Sequence, residues 1–148
     1  MASAPQMPAI HDVFRALADR TRLRLLNLIA GREVCVCYFV EILRLSQPKI
    51  SRHLAYLRRA GVVAARREGK WMHYRLAMPR DKAAANILRE TLKHLREAPE
   101  MRRDVARLKS ACCAPKKYEV PQGAPVPAEM PELLRAGDNG LGAGRGCR

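Results

Sequence analysis

Two cysteine pairs carry the most pointed chemistry in this sequence. Cys35 and Cys37 flank Val36, Cys112 and Cys113 are adjacent, and Cys147 stands apart. Deprotonated thiols are soft donors and select thiophilic metals and metalloids. Five cysteines, an odd number in clustered spacing, read as metal or redox chemistry rather than a disulfide framework. On a continuous helix, residues i and i+2 point about 200° apart and cannot hold one ion. On an extended segment they point the same way. A chelating Cys35–Cys37 pair must therefore sit at the edge of a helix or unwind its first turn. A helix N-terminus would also favour the thiolate. Binding there would strain the helix that follows and couple the ligand to whatever that helix supports.

A second group lies just downstream. The net charge is +14, from 28 Lys+Arg against 14 Asp+Glu, which favours a polyanionic partner. From Arg44 to Arg75 there are nine Lys/Arg and one acid, Glu68. If Ile50, Leu54 and Leu57 face inward on a helix, then Gln47, Lys49, Ser51, Arg52, His53 and Tyr56 lie on or near its outer surface. Such side chains suit base edges and phosphates of duplex DNA. His53 has two readings, a DNA contact or a structural histidine against the preceding helix.

These groups need elements to position them. Ile10, Val13, Phe14 and Leu17 form one helical stripe. Asp19 can cap a second, strongly apolar helix that stops at Gly31. Phe39, Val40, Ile42 and Leu43 make a short third helix, and Arg44 to Ser46 a tight turn. Ser46 can cap the fourth helix, with Pro48 in its first turn and Gly61 at its end. Strand-like runs from Val62 and from Trp71 flank Glu68-Gly69-Lys70, the pattern of a β-hairpin. It brings Arg66, Arg67 and Lys70 to its tip. Met72, Tyr74 and Leu76 should share one face, with Trp71, His73 and Arg75 on the other. A long helix follows over 81–97, and Pro99 can open another carrying Met101, Val105 and Leu108. From Ala114 onward, five Pro and six Gly in 35 residues, without periodicity, predict a disordered tail. The fold class is mainly α with a β-hairpin wing, a winged helix-turn-helix. No apolar run reaches 18 residues and the first residues lack a basic, apolar leader, so a cytoplasmic chain with no membrane partner is expected.

The strings FRALADRTRLRLLNLI, CVC, LSQPKISRHLAYLRRAGVV and REGKWMHYRL closely resemble ArsR/SmtB-type metalloregulatory repressors, the arsenic-responsive ones in particular. The resemblance covers about residues 8–98. It implies a homodimer formed by the first and last helices, binding operator DNA and releasing it when a toxic metal or metalloid binds. The implied division is a DNA-binding and dimerisation domain over 8–98, a C-terminal helix with the vicinal cysteines over 99–113, and the tail over 114–148. No cofactor is required; the implied inducer is As(III), with Sb(III) and methylated arsenicals as further candidates. The family pattern is C-V-C-D-L-C with three ligating sulfurs. Here Tyr38 replaces the Asp and Val40 the third Cys. The site is then two thiolates with an exogenous ligand, or Cys35 and Cys37 joined by Cys112 or Cys113 of either chain, or Cys112 and Cys113 alone. Cys147 reads as incidental. Asp81, His94 and Glu97 resemble three of the four zinc ligands of zinc-responsive relatives, but Ala83 stands where the fourth would be, and a polar interface face is the better reading.

Two alternatives keep the same fold: a repressor sensing thiol oxidation, or one sensing a soft divalent metal such as cadmium or lead. Neither His53 nor His73 has an orienting third group beside a cysteine, so an enzyme is not expected.

Overall fold

A computed structural model describes residues 9–113 and 117–129. Six helices and a small antiparallel sheet follow in the order α1 (Ala9–Leu17), α2 (Arg20–Ile29), β1 (Arg32–Cys35), α3 (Val36–Leu43), α4 (Gln47–Arg59), β2 (Val63–Glu68), β3 (Trp71–Leu76), α5 (Lys82–Glu97), α6 (Pro99–Cys113) and β4 (Ala128–Glu129). This is the expected winged helix-turn-helix, with two strands the sequence did not announce.

The centre is α2, whose Leu25, Leu26, Leu28 and Ile29 have no exposed surface. Phe39 and Ile42 of α3, Ile50, Leu54 and Leu57 of α4, and Leu88 and Leu92 of α5 close around it. Helix starts follow the capping rule: Asp19 accepts from the Arg22 amide at 2.9 Å, and Asp81 from the Ala84 amide at 2.8 Å. Ser46 has the extended cap conformation, but its hydroxyl makes no capping hydrogen bond. Arg44 ends α3 in the left-handed region (φ 56°), which turns the chain into α4. Phe14, expected inside, is 55% exposed; α1 buries Val13 and Ala16 instead.

Polar contacts bind α6 to α2. Arg24 makes a bidentate pair with buried Asp104 at 2.7 and 2.9 Å. Arg20 does the same with Glu100, and the Asn27 amide donates to the Met101 carbonyl at 3.0 Å. Arg20, Arg24 and Asn27 lie on one stripe of α2 because their spacing is i, i+4, i+7.

The sheet order is β2-β3-β1-β4. The hairpin turns at Gly69-Lys70, where Gly69 takes φ 57°. Beside β3 lies β1, in the register Val34↔Tyr74 and Cys35↔His73. With β1 on its other side, β3 is an inner strand. Hence His73, expected on the face opposite Tyr74, is buried as Tyr74 is. The tail is also corrected in part. β4 pairs with the outer edge of β1 (Arg32↔Glu129, Glu33↔Ala128), and Tyr118, Val120 and Ala124 pack on the core. An exposed strand edge offers unpaired amides and carbonyls, and a Pro/Gly-rich segment can still pair with it over two residues. The remaining tail expectations, Cys147 included, fall outside the described residues. Among the described residues no helix is long and apolar enough to cross a membrane.

Candidate functional site

The two leading cysteines straddle the boundary between strand and helix. Cys35 is the last residue of β1 and caps α3 with extended backbone (φ −71°, ψ 144°); Cys37 lies in the first turn of α3. Extended geometry at one thiol and helical geometry at the other cancels the divergence that a continuous helix would impose. Their sulfurs stand 3.2 Å apart. The pair therefore converges without unwinding the helix, and the strain expected of ligand binding is not needed to bring the sulfurs together.

Electrostatics makes the two thiols unequal. The hydrogen bond from Cys37 pulls the Cys35 thiol down to about 6, against its burial, with backbone amides of Cys37, Val36 and Met72 assisting. Cys37, as the donor to that sulfur and half-buried, holds its proton more tightly than an ordinary thiol. Cys35 is thus the more readily ionised of the two, and the pair is a donor set that fits a soft acceptor.

Cys112 stands close by. It lies in the last turn of α6, and its thiol is hydrogen-bonded with the hydroxyl of Tyr38, the residue after Cys37. Burial raises the Cys112 thiol. Burial first, then the charge of Cys112, pushes the Tyr38 phenol up to about 12. Cys113 is exposed and engaged in a disulfide, whereas Cys35, Cys37 and Cys112 are free. The vicinal pair is thus split, one member facing Tyr38 and the other bonded. Val40, half-buried on α3, adds no donor. Among the described residues, no three His, Cys, Asp or Glu side chains are already gathered to hold a metal ion. Asp81 is engaged in capping α5, and His94 and Glu97 are exposed.

The second surface is built on α4 and the wing. Gln47, Lys49 and Arg52 are exposed and Ser51 is half-buried. His53 turns toward the start of α2, its Nδ1 3.8 Å from Asp19 Oδ1, not toward α3. Beside it an open groove of about 500 Å3 is lined by Thr21, Arg22, Lys49, Arg52, Tyr56 and Arg59 among others. The Arg22 guanidinium lies over the Tyr56 ring at 4.2 Å and donates to the Ala16 carbonyl at 2.7 Å. Sequence spacing gave no reason to place Arg22, on another helix, with α4. The basic stretch RTRLR hinted at a cationic face without saying where it points.

The three wing cations differ. Arg66 is tied to Glu33 of β1 at 2.6 Å and to Glu68 at 3.1 Å. Arg67 donates to the Gly69 carbonyl at the turn, and Lys70 stands 4.8 Å over the Trp71 ring. Arg67 and Lys70 remain exposed, while Arg66 links the wing to the strand that ends in Cys35.

The family model described as "Bacterial regulatory protein, arsR family" matches residues 19–65. The Arsenic resistance transcriptional regulator ArsR1 of Pseudomonas putida is 58% identical over 65 residues, 43% of this chain and 51% of that protein. The Arsenical resistance operon repressor of Escherichia coli K12 is 48% identical over 80 residues, 53% of this chain and 68% of that protein. The chain thus spans from about half to about two thirds of the length of these relatives. Among solved structures, HlyU from Vibrio cholerae N16961 superposes with a TM-score of 0.51 at 31% identity, over 59% of this chain and 90% of that one. These relatives and this fold are those of DNA-binding regulators, not of enzymes.

Proposed function

This chain belongs to the arsR family of bacterial regulatory proteins, and on that premise we propose that it is a transcriptional repressor that releases its operator when trivalent arsenic, or antimony, binds the Cys35–Cys37 pair. The observation that carries this reading is the 3.2 Å approach of the two sulfurs at the β1–α3 boundary. That boundary adjoins both DNA-reading elements. α3 packs on α4, and Cys35 is in register with His73 of the wing.

In this reading α4 enters the major groove with Gln47, Lys49, Ser51 and Arg52, while Arg67 and Lys70 hold the backbone. Two chains read two half-sites. Dimerisation through α1 and α5, which pack together, is supported by Phe14, a large apolar side chain left 55% exposed on α1. The inducer closes a chelate across a strand end and a helix start. It changes how β1 meets α3, and so shifts α4 against the wing. Release then needs only that the ligand favour the arrangement with lower DNA affinity.

The same short S···S distance favours a second reading, release on thiol oxidation. The two separate in one experiment. A duplex is selected from a randomised library with the full chain, and its binding is followed by anisotropy against added arsenite, antimonite, cadmium, lead or peroxide. Release by arsenite and antimonite at concentrations where cadmium, lead and peroxide are inert is the expected result. Release by peroxide alone would replace the metalloid reading with the redox one.

A further inference from the structure

Where α1 faces α4, a gap of about 260 Å3 lies between Asp12 and Arg15 of α1 and Tyr56, Arg59 and Ala60 of α4. α1 packs on α2 and α5, and α4 on α2 and α3. One side chain of α2 reaches both. The Arg22 guanidinium donates from Nε to the Ala16 carbonyl at 2.7 Å and from Nη2 to the Arg15 carbonyl at 2.9 Å. Both carbonyls belong to the last turn of α1, where helix geometry supplies no donor of its own. The same guanidinium lies 4.2 Å from the centre of the Tyr56 ring on α4. Arg22 and Tyr56 are both half-buried, which strengthens a cation over a ring. Beside them Asp19 accepts from the Arg22 amide at 2.9 Å and stands 3.8 Å from His53 Nδ1, one turn before Tyr56 on α4.

We infer that Arg22 is a positioning residue for DNA reading. By clamping the end of α1 to the Tyr56 ring, it fixes the direction of α4 against the dimer helix, and so the half-site spacing that the dimer accepts. This rests on the reading of α1 as a dimer helix and α4 as the reading helix given above. Only an arginine does both tasks at once. Its planar fork serves two carbonyls while its face stacks on the ring, and a lysine ammonium offers charge without fork or face. Two-fold symmetry repeats any tilt of α4 in the second chain. Changing the spacing by one base pair moves a half-site about 3.4 Å along the duplex and about 35° around it. A clamped α4 cannot follow that displacement; a released one can.

The test uses the full chain, the duplex selected as above, and derivatives with the half-sites one base pair closer or farther apart. Wild-type protein should bind the selected spacing best. Arg22→Lys and Tyr56→Leu should each lose about 3- to 10-fold there, the scale of one cation–π contact, and less at the altered spacings, so that the preference flattens. They probe the clamp from both ends, and either decides alone if the other fails to fold. Tyr56→Phe keeps the ring face and should keep the wild-type preference. The inference is overturned if Arg22→Lys binds every spacing as the wild type does, the result expected of a phosphate contact that either cation can make. Equal losses at all spacings would overturn it too, since they would mark a merely structural role. So would a Tyr56→Phe protein that loses the preference, which would assign the role to the hydroxyl. If the wild type binds the duplex as a monomer or shows no spacing preference, the reading of α1 and α4 falls and this inference falls with it.

Discussion

Around Cys35 the chain turns inward: Val34, Cys35, Tyr38 and Phe39 are all buried, and β1 has a strand on each side. Along α4 the opposite holds, with Gln47, Lys49 and Arg52 exposed and only Ile50, Leu54 and Leu57 buried. The first region suits a small ligand. Thiols in a packed setting have few conformations to lose, and a bond formed there must be felt by its neighbours. The second suits a long polyanion, because exposed cations reach phosphates at little desolvation cost. What joins the two is short: α3 packs directly on α4, and the wing beside it is tied to β1 and α3 by the β1–β3 register, the Glu33–Arg66 ion pair and the Phe39 ring of α3, 6.2 Å from Tyr74 of β3. A signal from the thiols therefore has one helix packing to cross to reach α4 and one strand pairing to reach the wing.

The contrast can be broken from its inner side first. Phe39→Ala removes a fully buried ring shared by α3 and the wing. Denaturant unfolding should show a loss of about 3–5 kcal/mol, and both inducer response and DNA binding should suffer together. A loss within experimental error would mean that the junction does not depend on packing. The outer side is next. Lys49→Ala with Arg52→Ala should leave stability within about 0.5 kcal/mol, since both side chains are exposed. Operator affinity should fall, and its salt dependence should flatten by about one unit of slope for each phosphate that is no longer neutralised. An unchanged salt slope would place the DNA elsewhere.

The connection between the two regions gives the smallest expected effect. Glu33 is held below the usual carboxylate range, first by its hydrogen bond from Arg66, with His73 and Arg75 adding to it. Its folded-state value being depressed, its contribution is complete above the unfolded value and fades as pH falls through the folded one. The melting temperature should therefore drop on acidification below about pH 4.5, and Glu33→Gln should flatten part of that drop. The same substitution leaves Arg66 paired with Glu68 alone, so a steeper salt dependence of operator binding should accompany it. Identical acid profiles for the two proteins would remove Glu33 from the link.

The sequence made the local signals plain. Asp19 and Asp81 as caps, Gly69 in the hairpin turn and the buried stripe Ile50, Leu54, Leu57 all depend on neighbours within a turn or two, and spacing encodes those. What it hid depends on neighbours far along the chain. Arg32-Glu33-Val34-Cys35 has no clear alternation, and it is a strand because β3 and β4 close on it from both sides. Arg66 looked like another wing cation until Glu33 stood beside it. Phe14 followed the apolar stripe of α1 yet faces out. The CxC spacing set out two options, helix edge or unwound turn, and only the fold chose the edge. That Cys112 rather than Cys113 meets Tyr38 depends on how α6 lies on α2 and α3, which periodicity cannot supply.

The central claim is that the buried thiol pair governs the exposed DNA surface. It is tested most directly by measuring operator affinity with and without arsenite for the wild type and for the Cys35→Ser, Cys37→Ser double variant. Both proteins should bind the operator alike without arsenite. Arsenite should weaken wild-type binding by a coupling of about 1–3 kcal/mol and leave the double variant unmoved. A double variant that still lets go of the operator on arsenite would contradict the claim and move the sensor away from the β1–α3 junction.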